Sequence, residues 1–84
     1  MKLCVMSLFD SKVKAFASPF FSPSEESAIR SVCDEAQRPD SMLHRHPEDF
    51  SIFRLGIFDD QDGALVAETV PCSLGLVSGF LSKE

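Results

Sequence analysis

Residues 3–9, Leu-Cys-Val-Met-Ser-Leu-Phe, are apolar at nearly every position and too few for a helix. They read as a buried strand. Leu3, Val5 and Phe9 share one face, and Cys4, Met6 and Leu8 the other. A strand apolar on both faces is central in a sheet or covered on both sides. Asp10-Ser11-Lys12 is a turn signal, and Val13 to Phe16 returns as a second strand. Ser18 to Phe21 reads as a connector. Ser22-Pro23-Ser24-Glu25 then carries a helix-start signature, with Ser22 as N-cap, Pro23 as first helical residue and Glu25 as capping-box partner. Glu26 adds a carboxylate near the positive end of the helix dipole. Ala28, Ile29, Val32, Cys33 and Ala36 form one apolar stripe. Pro39 ends the helix by disfavouring helical geometry at Arg38.

Short turns are expected over 40–45, and 46–49 should be irregular or extended, because Pro47 biases His46 away from the helical region. Phe50 to Phe58 reads as a strand. Asp59-Asp60-Gln61-Asp62-Gly63 is a hairpin loop, with Gly63 supplying a positive φ. Leu65-Val66-Ala67 is the return strand, stopped by Pro71. Leu74, Val77, Phe80 and Leu81 have the spacing of a short C-terminal helix. Two hairpins and one main helix make a single α+β domain over residues 1–84, with about four antiparallel strands and the helix packed on the sheet.

Length and charge narrow the function. Eighty-four residues leave no room for two cores. No apolar run approaches the ~18–20 residues of a membrane span. The apolar start resembles a signal peptide only briefly, since Ser7 and Asp10 interrupt it. The net charge of −5 is uneven: residues 1–47 are neutral, and residues 48–84 hold seven acidic side chains against Arg54 and Lys83. A nucleic-acid binder normally carries a basic face, and this chain has no basic run. Three widely spaced cysteines, Cys4, Cys33 and Cys72, argue against a disulfide framework and for a reducing compartment. All eight aromatics are Phe, which supply apolar area without a polar group and read as core or interface. A doubly apolar first strand with one helix to cover it leaves a face that a second copy would close. A two-fold dimer through the neutral N-terminal half follows, with the Asp59–Asp62 loop in solvent.

Candidate chemistry is sparse. His44 and His46 with Cys33 lack the paired spacing of a zinc site; a polar loop with one histidine bonded to a carboxylate is the simpler reading. Asp60-Gln61-Asp62-Gly63 fails as a calcium loop, because Phe58 and Thr69 fall where Asp and Glu are required. No nucleophile elbow, phosphate-binding glycine loop or H-E-x-x-H motif occurs. No catalytic residue, metal or cofactor is expected. Lys12 and Lys14 lie near Phe16, Phe20 and Phe21, a mixture that can hold single-stranded DNA by stacking and phosphate contact, with Arg30, Arg38 and Arg45 as further cations. An edge hairpin with protective lysines is the favoured alternative.

Several segments together carry a resemblance: Pro19-Phe20-Phe21, Ala28, Arg30, Asp34 and Pro39-Asp40-Ser41. The most specific are His46-Pro47-Glu48-Asp49-Phe50, Leu55-Gly56-Ile57-Phe58-Asp59 and Gly63. In this order they resemble the small nonstructural protein of gokushovirus-type microviruses, which are single-stranded DNA bacteriophages. The likeness runs from about Leu3 to Leu81. It implies a noncatalytic accessory protein of the infected bacterial cytoplasm, outside the virion shell, that serves viral DNA synthesis or single-strand packaging. Viral or host replication and packaging proteins are then the expected partners, with His46, Pro47, Glu48, Asp49 and Phe50 as a partner-binding loop. Weak binding of single-stranded DNA is the alternative.

Overall fold

The computed structural model describes residues 1–81. Its strands are β1 (Lys2–Asp10), β2 (Ala15–Phe16), β3 (Phe20–Ser22), β4 (Phe50–Asp59) and β5 (Leu65–Leu76). Its helices are α1 (Glu25–Ala36), α2 (Met42–Arg45) and α3 (Val77–Leu81), with a 3-10 turn at Pro47–Asp49, where the sequence predicts an irregular or extended stretch and Pro47 instead opens the turn. The α+β class is as expected. All pairings are antiparallel, and β1 and β4 lie at the centre. β5 forms one edge. β2 and β3 share the other, pairing successive parts of β1.

The two faces of β1 divide as the alternation requires. Met6, with Cys4 and Leu8, turns toward a core built with Ile52 from β4, Ala28, Val32 and Ala36 from α1, Leu43 from α2 and Val77 from α3. Every helix therefore contributes to one side of the sheet. Met6, Ile52 and Val77 are fully buried, each removing about 1.5–3 kcal/mol worth of apolar side chain from water. Ile29 and Cys33 sit at the margin of the predicted α1 stripe and are half-buried, not core.

Several local expectations are corrected. α1 starts at Glu25, and its N-cap is Ser24, whose hydroxyl accepts the Ser27 N–H at 3.1 Å. Ser22 instead pairs with Cys4 in the sheet, and its hydroxyl donates to the Ser24 carbonyl at 2.9 Å. Pro23 thus precedes the helix, and Glu25 occupies its first position instead of closing a capping box. The stretch read as a connector is β3, because Phe20 and Phe21 pair with Met6 and Val5. The strand read over 13–16 shrinks to Ala15–Phe16. Lys12 and Lys14 lie in the turn, where their N–H groups donate to the Asp10 side chain and carbonyl at 2.9 and 2.8 Å. Lys14 has φ 59°, which reverses the chain.

Pro71 does not stop β5. The register jumps between Arg54↔Cys72 and Gly56↔Ala67, so residues 68–71 bow out opposite the single residue Leu55. Pro71 sits in that bow on an edge strand, where its missing N–H interrupts no ladder. Leu74 belongs to β5, so the C-terminal helix begins only at Val77. Gly56 lies between β1 and β5 at this irregularity. A side chain there would overlap the Val66 carbonyl oxygen and approach Ala67 Cα at 3.1 Å, so the strand crossing needs glycine.

Candidate functional site

The sheet surface opposite the helices is the most distinctive surface of the molecule. Paired residues of antiparallel strands point to the same side. The register Phe16↔Phe9↔Ser51 and Ser7↔Phe53 therefore places Phe9, Phe16 and Phe53 on one surface. Their rings meet at centroid distances of 4.9, 5.2 and 6.1 Å. Further along, Phe21↔Val5 and Leu3↔Phe58↔Leu65 continue the surface, and Phe21 and Phe58 lie 5.4 Å apart. Phe20, Phe50 and Phe80 take the other side and pack on the helix core. No described helix covers the first group. Phe16 is 43% exposed, Phe21 56% and Leu65 64%.

The two ends of this surface differ in charge. β1 runs from Lys2, opposite Asp59, to Asp10, opposite Phe50. Lys12 and Lys14 consequently lie at the Phe9 end and the acidic hairpin loop at the other. Of the Asp59–Asp62 loop expected in solvent, Asp60 to Asp62 are exposed, while Asp59, paired with Lys2 in the sheet, is half-buried. Gly63 has φ 75°, and Asp59 and Asp62 each accept a backbone N–H two residues on, at 3.0 and 2.9 Å. The amino terminus donates to Asp60 at 2.7 Å. On the helix side of the same end, Lys2, Ile57, Asp59, Asp62, Ala64 and Val66 line an open groove of about 500 Å³.

The residues named as a nucleic-acid contact do not form one surface. Lys12, Lys14 and Phe21 belong to the open side and its end. Phe20 points into the core, away from Phe21. Arg30 is exposed on α1, and Arg45 ends α2, on the helix side. Arg38 follows α1 and pairs with Glu35 and Asp40 at 3.5 and 3.7 Å. The suggested partner loop is well exposed at His46 and Glu48, half-buried at Pro47 and Asp49, and anchored by Phe50 against the core. The Asp49 carbonyl accepts the Ser11 N–H at 2.9 Å, tying the loop to the β1–β2 turn.

His44 bonds the Ala36 carbonyl through Nδ1 at 2.9 Å, so that nitrogen carries the proton. The acceptor is a helix-end carbonyl, so of the two histidines it is His46 that has carboxylates beside it. Donor atoms of His46, Glu48 and Asp49 lie within 4.8 Å of one another. This grouping excludes both Cys33 and His44.

Sequence reasoning passed over Arg54. It leaves mid-β4 toward the helices, where it donates to Glu25 at 2.7 Å and Glu68 at 2.9 Å. Its guanidinium is held above its ordinary range, chiefly by the charge of Glu68, against desolvation, with Glu25 adding to the effect. The cluster fastens the first turn of α1 and the bow in β5 to the central strand. One signal was available: a solitary basic residue inside an apolar strand needs a partner when half-buried.

These features define a layered scaffold with a helix-covered core on one side and, on the other, an apolar face that buries Val5 and Ser7 but leaves Phe16, Phe21 and Leu65 exposed, a form suited to binding. The comparisons agree on the class of protein. The family model described as Phage ORF5 protein matches residues 3–80. Protein ORF5 of Chlamydia phage 1 is 33% identical over 82 residues, covering 93% of this chain and 81% of that protein. The chain belongs to the Phage ORF5 protein family, which bears out the gokushovirus-type resemblance. No solved structure matches it. Among the described residues, no helix is long and apolar enough to cross a membrane.

Proposed function

We propose that this phage protein is a noncatalytic accessory factor that assists viral single-stranded DNA synthesis or packaging through protein–protein contacts in the cytoplasm of the infected cell. The observation that carries this reading is the open sheet face, on which Phe16, Phe21 and Leu65 are exposed beside Phe9, Phe53 and Phe58. Contiguous exposed aromatic area of this kind favours another apolar surface over water. The paired positions of the face carry no charged side chain, which suits a protein partner better than a phosphate backbone. The corner formed by Met42, Arg45, His46 and Glu48 offers a second, polar contact surface on the helix side.

A phage carrying Phe21→Lys tests this role. Replicative double-stranded DNA and packaged single-stranded genomes are measured in infected cells at matched levels of the variant protein. A several-fold fall in either supports an accessory role through the face. Wild-type amounts of both refute it.

Direct binding of single-stranded DNA is the second reading, favoured by Lys12 and Lys14 beside the Phe9–Phe16–Phe53 cluster. Filter binding of an unstructured oligonucleotide across a salt series decides it. Binding at low salt with a steep salt slope supports this reading. No binding at low salt eliminates it.

A further inference from the structure

We infer that the open face is covered by a second copy of this chain, packed sheet on sheet about a two-fold axis that sets the strands of the two copies antiparallel. This rests on the reading of that face as protein-binding, and it names the occupant and its orientation.

The area is of the right order. An aromatic side chain offers ~200 Å², so the exposed fractions of Phe16 and Phe21 alone correspond to about 200 Å². Leu65, 64% exposed, and the half-buried Leu3, Phe9 and Phe58 enlarge the patch. The total is of the order of the ~300–600 Å² patches that are often functional, and it is of a size to form the apolar centre of a standard interface of ~800 Å² per partner. A two-fold contact must be self-complementary. A face without charges at its paired positions meets its own copy with no like-charge repulsion, although the whole chain carries −5.

Association through the sheet edges is blocked by the sequence. β5 is bowed at residues 68–71 and contains Pro71, and the other edge is split into strands of two and three residues. Such edges resist strand addition, and between the remaining surfaces the face is the apolar one, the helix-side corner being polar. Stacked on a second copy, the sheet becomes one half of a sandwich with the layers ~10 Å apart. Among the described residues the helix-side core holds seven buried apolar residues, two of them alanines; the dimer supplies a second core around Val5.

Charge at the ends selects the orientation. Lys12 and Lys14 outweigh Asp10 at one end of the face, and Asp59, Asp60 and Asp62 outweigh Lys2 and the amino terminus at the other, the two ends being separated by the length of β1, nine residues or ~30 Å. A two-fold axis along the strands would set lysine turn against lysine turn. An axis across the strands sets each lysine turn against the partner's acidic loop at the hydrated rim of the contact, rather than leaving that loop wholly in solvent as the sequence alone suggests. The helix side, with its Met42–Glu48 corner, remains outward in both copies.

Sedimentation and light scattering on the full chain at micromolar concentrations read the mass. The expected result is a concentration-dependent species of twice the 9.3 kDa chain. Phe21→Glu should give a folded monomer by circular dichroism, whereas Met42→Glu, an exposed apolar position on the helix side, should leave the dimer intact. Lys12→Glu with Lys14→Glu should raise the dimer dissociation constant several-fold, and adding Asp60→Lys with Asp62→Lys should restore it. A wild-type chain that is monomeric at every concentration overturns the inference, while the phage assay with Phe21→Lys separately judges the accessory role. Loss of the dimer in Met42→Glu but not in Phe21→Glu also overturns it, by placing the contact on the other side. Failure of the lysine reversal to weaken a Phe21-dependent dimer overturns the antiparallel orientation.

Discussion

Replacing Arg54 with methionine isolates the contribution of the Glu25–Arg54–Glu68 cluster. Methionine keeps a long apolar stem, so packing along the strand changes little while both ionic bonds vanish. A hydrogen bond to a charged group contributes about 1.5–3 kcal/mol when shielded. Here the three side chains are roughly 30% exposed, so solvent screening reduces each bond toward 1 kcal/mol. Two bonds then amount to about 2 kcal/mol, and a domain of this size loses ~4–8 °C per kcal/mol. A fall in Tm of roughly 10 °C is expected. The arginine's raised proton affinity adds stability that is present below its unfolded value and is lost only as pH rises through its higher folded value. The cost of Arg54→Met attributable to arginine ionisation is therefore constant from about pH 6 to 9, where arginine is charged in both states. The chain has neither Trp nor Tyr, so urea unfolding is followed by far-ultraviolet circular dichroism. Glu68→Gln, which removes one charge and keeps the shape, should cost about half as much. An Arg54→Met protein with the wild-type urea midpoint and slope would refute the assignment of the cluster as a structural tie.

Three further outcomes follow from local geometry. Ser24→Ala should cost about 1 kcal/mol and Ser24→Asp almost nothing, because Asp also caps; Ser22→Asp should destabilise, since it buries a carboxylate within the sheet. Urea midpoints check both, and the opposite ranking would return the helix start to Ser22. Gly56→Ala should lower stability by about 1–3 kcal/mol by forcing apart β4 and β5, and an unchanged midpoint would show that the strands yield freely there. Thiol labelling of the folded protein should modify exposed Cys72 well before half-buried Cys4 and Cys33; equal rates would contradict the burial of the helix-side face.

The arrangement of elements was legible where periodicity and chain punctuation agree. The apolar alternation of residues 3–9 gave both a central strand and its division into Met6 and Phe9 faces. The Asp59–Gly63 loop was readable because Gly63 and its aspartates have few other uses. The misplacements share one cause, the choice between local signals by distant pairing. Ser22-Pro23-Ser24 offers two serines able to cap, and only the pairing of Ser22 with Cys4 excludes the first. Phe20-Phe21 resembles a connector until β1 provides a ladder for it. Pro71 is a valid stop signal for a regular strand, but an edge strand with a bow tolerates it. None of these pairings has a local sequence signature, because strand partners are separated by loops of arbitrary length.

The open face shows how far such reading extends toward function. A strand apolar on both sides, with one long helix available, already implied an unsatisfied surface. The N-terminal half was the expected source of the contact, because it is neutral and contains the first hairpin. The folded chain draws the surface from both halves. Phe53, Phe58 and Leu65 come from the acidic half, yet alternation sends their charged neighbours Arg54, Asp59 and Glu68 elsewhere. Net charge summed along the sequence therefore misjudges a sheet surface. A strand separates its apolar and polar residues by face, at a period of two, while a running sum mixes them. The relevant quantity is the charge on one side of the sheet. On that measure the acidic segment contributes the same uncharged, Phe-rich surface as the neutral one, and the two become parts of a single candidate interface.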